Sequence, residues 1–312
     1  MSDAAATVID VRGLTKRFGD KVAVKDVDLQ VSRGEIVGFL GPNGSGKTTT
    51  IRLICGLLKP DGGEGTCLGY DILREAEKIK REVGYMTQRF SFYEDLTIRE
   101  NLEFVGRLYD VPNLRRTIDA TLDGLGLASR QNQLAGTLSG GWKQRLALAA
   151  CIMHTPNLLL LDEPTAGVDP KARREFWDEI HRLAAAGLTV LVSTHYMDEA
   201  ARCHRIVYIA YGSIVARGTA EEIIGQSRLT TYVIGGRQSA EAARALEGMP
   251  GIEQIAAFGQ EIHVVGSDKE ALARSVRQVA ERFAIEVGAG ETTLEDVFIR
   301  LMSEAQTREN GG

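Results

Sequence analysis

Between Gly41 and Thr49 the chain reads Gly41-Pro42-Asn43-Gly44-Ser45-Gly46-Lys47-Thr48-Thr49, and its first eight residues fit the spacing G-x-x-x-x-G-K-[ST]. Glycines at these positions let consecutive backbone N–H groups curl around phosphate oxygens, and a helix starting there adds its partial positive charge. Lys47 can then reach the β- and γ-phosphates of a nucleotide, with the Thr48 hydroxyl placed to ligate Mg2+. Two adjacent carboxylates, Asp162 and Glu163, end the apolar run Leu158–Leu161, which puts them at the carboxyl edge of a buried strand, where open α/β sheets bind their ligands. Hydrolysis of a metal-bound nucleotide needs an acid near the metal and a group that orients and deprotonates water. Asp162 is assigned to magnesium and Glu163 to the water.

The elements that must position these groups follow from the apolar pattern. Val8–Val11, Val22–Val31 and Glu35–Leu40 read as strands, and Lys47–Leu58 as a helix that stops near Lys59, Pro60 and the Gly62-Gly63 pair. Thr97 with Glu100 forms a capping box at the start of a helix running to Tyr109, and helical character continues through Leu114–Leu125 and again after Ser139. Roughly residues 90–155 therefore read as an α-rich insertion. Strand pattern returns at Leu158–Leu161 and Thr189–Ser193 with a helix over Lys171–Ala186 between them, the βαβ alternation of a mainly parallel sheet. Residues 1–225 are expected to form this α/β domain.

Residues 226–312 read differently: strand Thr230–Ile234, helix Ala240–Leu246, strands Ile252–Phe258 and Glu261–Val265 joined through Gly259-Gln260, helix Lys269–Phe283 and strand Ile285–Ala289. This βαββαβ order predicts a small ferredoxin-like domain, followed by a helix over Leu294–Met302 and a loose tail from Ser303 to Gly312.

A chain of 312 residues, 44% hydrophobic and 25% charged, has material for one large domain and a smaller one. A net charge of -5 argues against a general nucleic-acid binder. Apolar runs such as Leu146–Met153 fall far short of the ~20 residues that cross a bilayer, and Met1–Thr7 has neither the basic start nor the apolar stretch of a signal sequence. The expected location is cytoplasmic, with any membrane role exercised through a partner. The four cysteines, Cys55, Cys67, Cys151 and Cys203, lack metal-ligand spacing and read as buried free thiols.

Leu138-Ser139-Gly140-Gly141-Trp142-Lys143-Gln144-Arg145 resembles the LSGGQ signature of ABC ATPases, and Leu158-Leu159-Leu160-Leu161-Asp162-Glu163-Pro164-Thr165 resembles their Walker B strand. The resemblance extends to Phe18 as the A-loop aromatic, Gln88 as the Q-loop, Ala166-Gly167-Val168-Asp169 as the D-loop and His195 as the switch histidine. It implies a P-loop NTPase core with an α-helical subdomain, ATP and Mg2+ as cofactors, and a head-to-tail dimer in which one subunit's signature completes the other's phosphate site. On that basis Phe18 stacks on adenine, Gln88 touches the magnesium shell, His195 hydrogen-bonds the γ-phosphate beside Glu163, and Ser139, Gly140, Gly141 and Asp169 serve the opposing nucleotide. Trp142 departs from the pattern, standing where the signature usually has Gln; its indole packs either on the helical insertion or on the nucleotide sugar. His154, His181, His204 and His263 lie outside these motifs and read as structural or surface residues.

The run Ser193-Thr194-His195-Tyr196-Met197-Asp198-Glu199-Ala200 and the tryptophan-bearing signature are similar to ATPases of bacterial ABC-2 exporters of the multidrug and daunorubicin-resistance type, and Glu291–Phe298 is similar to the end of their extra domain. That likeness implies a subunit at the cytoplasmic face of the membrane, forming a homodimer or a heterodimer with a related ATPase and docked on integral membrane permease subunits. Arg89-Phe90-Ser91-Phe92-Tyr93, directly after Gln88, is the expected docking segment. Two alternatives share the nucleotide site: a soluble ABC ATPase acting on ribosome or DNA, disfavoured by a single motif set without sustained heptads, and an importer ATPase.

Overall fold

The structure, a computed structural model, describes residues 6–236, 238–259 and 261–310. The amino-terminal reading over Met1–Ala5, the hairpin position Gln260 and the final Gly311-Gly312 lie outside the described residues.

β1 (Thr7–Phe18) and β2 (Lys21–Ser32) pair antiparallel, and β3 (Ile36–Leu40) leads through the glycine loop into α1 (Lys47–Ile54). β4 (Gly62–Cys67) and β5 (Tyr70–Asp71) complete a sheet in the order β2-β1-β4-β5. After α2 (Ala76–Glu82) and β6 (Val83–Met86) the chain turns helical through α3 (Ile98–Leu108), α4 (Leu114–Gly124) and α5 (Gly140–Ile152). β7 (Leu158–Asp162), α6 (Pro170–Ala185), β8 (Thr189–Thr194), α7 (Met197–Ala200), β9 (Arg205–Ala210) and β10 (Ser213–Gly218) follow, and the second sheet has the order β10-β9-β3-β8-β7-β6. Its pairs β9/β3, β3/β8, β8/β7 and β7/β6 are parallel, as the βαβ alternation predicts.

Every residue of β3, β7 and β8 is buried, which is why these strands read as unbroken apolar runs. Side chains alternate across a strand, so Leu159 and Leu161 enter one core with Leu102, Ile118, Leu146 and Trp177 of the helical side, while Leu158 and Leu160 enter the other with Val11, Leu14 and Ile51. The helix predicted to run to Leu58 ends at Ile54 instead. Gly56 takes φ +71 just past its end and Leu57 N–H donates to Arg52 O at 2.9 Å, a left-handed stop that the apolar Leu57-Leu58 pair disguises in sequence. The capping box at Thr97 is formed in both directions.

The chain divides into two units, Met1–Ile214 and Val215–Gly312, ahead of the break expected after Gly225. The difference is α8 (Ala220–Ser227), which Thr219 and Glu222 cap reciprocally and which packs with the last helix of its own unit. β11 (Thr230–Gly235), α9 (Ser239–Leu246), β12 (Gln254–Phe258), β13 (Glu261–Gly266), α10 (Lys269–Phe283) and β14 (Glu286–Gly290) form an antiparallel sheet of order β12-β13-β11-β14. Read from the other edge its strands come fourth, first, third, second, the ferredoxin-like arrangement. α11 runs from Leu294 to Asn310, so the expected loose tail is helical through Asn310; Val297 and Phe298 bury its apolar face. Three of the four cysteines are buried and Cys203 is half-buried; burial pushes the thiols up, Cys55 to about 11 and Cys151 to about 12. Among the described residues no helix is long and apolar enough to cross a membrane.

Leu160 is fully buried at the centre of β7. Leu160→Ala is expected to cost ~2–5 kcal/mol of stability through lost apolar burial and the cavity left behind, read as a lowered urea midpoint at unchanged slope.

Candidate functional site

The turn after β3 can form only with glycine at its first residue. A Cβ on Gly41 would stand 2.2 Å from Ile209 O, and one on Gly46, at φ +108, would stand 2.5 Å from Ala23 O. With those positions clear, the loop curls over the start of α1 and brings Lys47 inward, its side chain only 4% exposed. The Lys47 ammonium donates to Gly41 O at 2.7 Å and Pro42 O at 3.0 Å and faces Glu163 Oε1 at 3.2 Å.

Opposite stand the ends of β7 and β8. The Thr48 hydroxyl donates to Asp162 Oδ1 at 3.0 Å, and Ser193 Oγ donates to the same oxygen at 2.7 Å. Glu163 has φ +48, a left-handed conformation that costs an L-residue roughly 1–2 kcal/mol. It is held there by its N–H, which donates to Ser193 O at 3.1 Å and Ser193 Oγ at 3.0 Å. Strain concentrated on one acidic residue at a ligand edge is a mark of a functional position. Gln88 Nε2 donates to Glu163 Oε2 at 3.0 Å, and His195 Nδ1 lies 3.3 Å from the same oxygen. Phe18, 53% exposed at the end of β1, flanks the open cleft of about 340 Å³ that the glycine loop, Gln88 and Glu163 line.

Lys47, Thr48, Asp162, Glu163, Gln88, His195 and Phe18 are thus brought to one sheet edge, with Asn43, Gly44, Gly46 and Thr49 beside them. The residues fit a magnesium nucleotide: Thr48 and Asp162 present two hard oxygens together, and Ser45 Oγ in the loop is buried with no hydrogen-bond partner among the described residues. Gln88 meets the site through its amide nitrogen, which leaves its oxygen as the atom available to a metal shell.

Ser139, Gly140, Gly141 and Asp169 do not line this cleft. Ser139 is the N-cap of α5 but makes no side-chain cap, and it is exposed with Gly140. The Asp169 carboxylate caps α6, accepting from Lys171 N–H at 3.1 Å and Ala172 N–H at 3.0 Å. The two packings open to Trp142 are resolved in favour of the helical insertion: the indole packs with the core of the helical side and carries the Arg130 guanidinium 4.6 Å and the Arg145 guanidinium 5.5 Å from its ring. Of the remaining histidines, His154 stacks on Tyr109 at 4.1 Å with its pKa lowered by burial, His204 Nδ1 accepts from Ile36 N–H at 3.0 Å, His263 faces Asp296, and His181 packs beside Trp177. Ser193 went unnoticed in sequence although it fixes both acidic residues; its only signal was its place at the end of a buried strand.

Residues 24–166 match the model of the family described as ABC transporter. The chain is 45% identical over 223 residues to the probable multidrug ABC transporter ATP-binding protein YbhF of Escherichia coli, a match that takes in 71% of this chain but 39% of that protein. It is 38% identical to the daunorubicin/doxorubicin resistance ATP-binding protein DrrA of Streptomyces peucetius, over 96% of this chain and 94% of that one. Among solved structures it is similar to the dimeric ATP-binding cassette MJ0796 in a post-hydrolysis state bound to ADP and Pi, at a TM-score of 0.62 and 28% identity over 68% of this chain and 98% of that one.

Removing the Lys47 ammonium takes a buried charge from the glycine-loop side of the cleft. Lys47→Ala is expected to weaken nucleotide binding roughly tenfold or more, since a hydrogen bond to a charged group contributes about 1.5–3 kcal/mol, as measured by titration with a fluorescent ATP analogue.

Proposed function

Because the chain belongs to the ABC transporter family, we propose that it is the ATP-binding and hydrolysing subunit of an ABC-2 type exporter, working as a dimer whose closure is driven by ATP. The observation that carries the hydrolytic reading is the buried Glu163 carboxylate, on a left-handed backbone, held by Lys47 and Gln88 with His195 Nδ1 3.3 Å away.

The glycine loop binds the nucleotide phosphates through its N–H groups and Lys47, and the Phe18 ring offers its face to the base. Magnesium, when bound, neutralises phosphate charge; Thr48, Asp162 and the Gln88 oxygen are the groups that would hold it. Glu163 orients the attacking water and takes its proton at a carboxylate oxygen. Gln88 and His195 keep that oxygen turned into the cleft, and His195 supplies a donor toward the outermost phosphate.

Assembly into a head-to-tail dimer is supported by the exposed N-terminus of α5, where Ser139 and Gly140 offer a helix start suited to an anion and do not line the chain's own cleft. The dimeric state of MJ0796 with ADP and Pi supports assembly as a dimer. The export direction rests on the likeness to DrrA along nearly its whole length. Attachment to integral membrane subunits at the cytoplasmic face fits a groove on the helical side, where Tyr93, Phe104 and Leu108 are exposed and the Tyr93 and Phe104 rings meet edge to face at 5.2 Å. Of the docking segment read from sequence, Phe90 and Phe92 are half-buried against the core, which leaves Tyr93 as its exposed aromatic.

Glu163→Gln keeps the shape of the site but removes the proton acceptor. It is expected to lower the hydrolysis rate by about 10²–10⁴-fold while retaining ATP, so that a dimer accumulates with nucleotide and is seen by size-exclusion chromatography. Unchanged turnover would overturn the assignment. Tyr93→Glu is expected to leave ATP binding intact and to abolish transport in membrane vesicles containing the permease; unaltered transport sinks the docking site.

A further inference from the structure

Behind Glu163 and His195 lies a carboxylate that neither of them touches. Glu199, in α7, is 1% exposed. Its Oε1 accepts the Thr165 hydroxyl, and its Oε2 accepts the Thr194 hydroxyl at 2.6 Å. Both threonines are themselves buried. Thr165 stands two residues after Glu163 and Thr194 one residue before His195. One side chain therefore ties the turn leaving β7 to the end of β8.

Arg173 of α6 completes the junction. Its Nε lies 3.5 Å from Glu199 Oε1, and its guanidinium lies 4.4 Å from the Tyr196 ring, which is in turn 4.1 Å from the His195 ring. Tyr196 N–H donates to Thr194 Oγ at 3.0 Å, so the residue after His195 is fixed by the same hydroxyl that holds Glu199. α6 is the helix capped by Asp169, and the first turn that carries Arg173 starts at that cap.

Two physical facts give this cluster work to do. A buried carboxylate must be hydrogen-bonded and charge-compensated, so the two hydroxyls and Arg173 cannot drift apart without leaving it exposed to a penalty. The left-handed backbone of Glu163 persists only where the surroundings over-determine it, and the turn that follows it is anchored through Thr165. We propose that Glu199 is a positioning residue for hydrolysis, which holds Glu163 and His195 in register across the ends of β7 and β8 and, through Arg173, links that register to the helix entered at Asp169. The inference rests on the reading of Glu163 and His195 as the hydrolytic pair.

The test uses the full chain with Thr165→Val, Thr194→Val and Glu199→Gln. Each valine removes one hydroxyl at nearly constant volume, which keeps the question open even where the glutamine variant folds poorly. Steady-state ATP hydrolysis is expected to show kcat reduced about tenfold with KM for ATP changed less than about twofold, because the phosphate loop is untouched. In the His195→Ala background Thr194→Val and Glu199→Gln are expected to add less than the loss each causes in the wild-type chain, measured by single-turnover phosphate release, since the part of their effect that runs through His195 is already removed. Wild-type kcat in folded Thr165→Val and Thr194→Val overturns the proposal, as does a multiplicative loss on His195→Ala. A large drop in melting temperature with parallel loss of nucleotide binding overturns it too, marking Glu199 as a group that only stabilises the core. Glu163→Gln assayed alongside separates the two levels: retained turnover there sinks the hydrolytic reading and this inference with it, whereas an inactive Glu163→Gln beside a fully active Glu199→Gln sinks this inference alone.

Discussion

A lysine ammonium and a glutamate carboxylate, 4% and 7% exposed, face each other at 3.2 Å where the strands of the parallel sheet end. Taking two charges out of water costs several kcal/mol for each ion, and their attraction offsets this only where the remaining donors and acceptors are also satisfied. Here the partners come from separate stretches of chain. Gly41 O and Pro42 O serve Lys47 from the turn after β3, Gln88 serves Glu163 from the loop after β6, and Ser193 at the end of β8 holds the Glu163 N–H. A parallel sheet delivers all of them because every carboxyl end lies along one edge. The unbroken apolar character of β3, β7 and β8 is thus a condition of the charge pair: both layers must cover those strands before their ends can hold two buried charges together.

This dependence explains why so much was legible in the sequence. A fully buried parallel strand has no polar face, so Leu158–Leu161 announces itself, and the acids that end it are forced to the ligand edge. The phosphate loop is equally legible since its glycines answer local collisions, such as Gly41 against Ile209 O. The capping box at Thr97 is local in the same way. What sequence reading passed over was set by contacts distant along the chain. β4 is the stretch Gly62–Cys67, without apolar alternation, and it is a strand because β1 pairs with it; a Cβ on Gly65 would stand 2.2 Å from Asp10 O. Ser193 bonds Asp162 and Glu163, and Glu199 bonds Thr165, all in another segment, so their place in the Ser193–Ala200 run does not by itself disclose what they hold.

The same reasoning accounts for the departures. Trp142 was ambiguous because an indole serves equally as a stacking platform for a sugar and as a core residue; Arg130 and Arg145 decide it, one from the loop before the signature and one from the next turn of α5. Arg145 also donates to Glu175 Oε2 at 2.7 Å, so the arginine beside the indole ties α5 to α6. The carboxyl-terminal tail was expected to be loose from its polar composition. An amphipathic helix already nucleated at Leu294 carries polar residues forward at little cost, and Arg300 pairs with Glu304 one turn on.

The N-terminus of α5 gives the clearest physical reason to regard the cleft as half of a site. A helix start leaves N–H groups unpaired, and a serine at the N-cap ordinarily accepts from one of them, a bond whose loss costs about 1 kcal/mol. Ser139 stands at that position and makes no such bond, in contrast to Thr97, Asp169 and Thr219, which cap their own helices in this chain. An anion brought to Ser139 and Gly140 would recover what the cap leaves unmet and would add the attraction of the helix dipole. The chain's own phosphate loop cannot bring one, since these residues do not line its cleft. A second copy, offering its nucleotide from outside, can. In the proposed dimer such a contact would exist only in the closed pair, so its free energy would favour closure alone, and the loss of the outermost phosphate would remove that preference. On the proposed reading the uncapped serine and the buried lysine would belong to one cycle, two surfaces on a single chain that meet only between molecules.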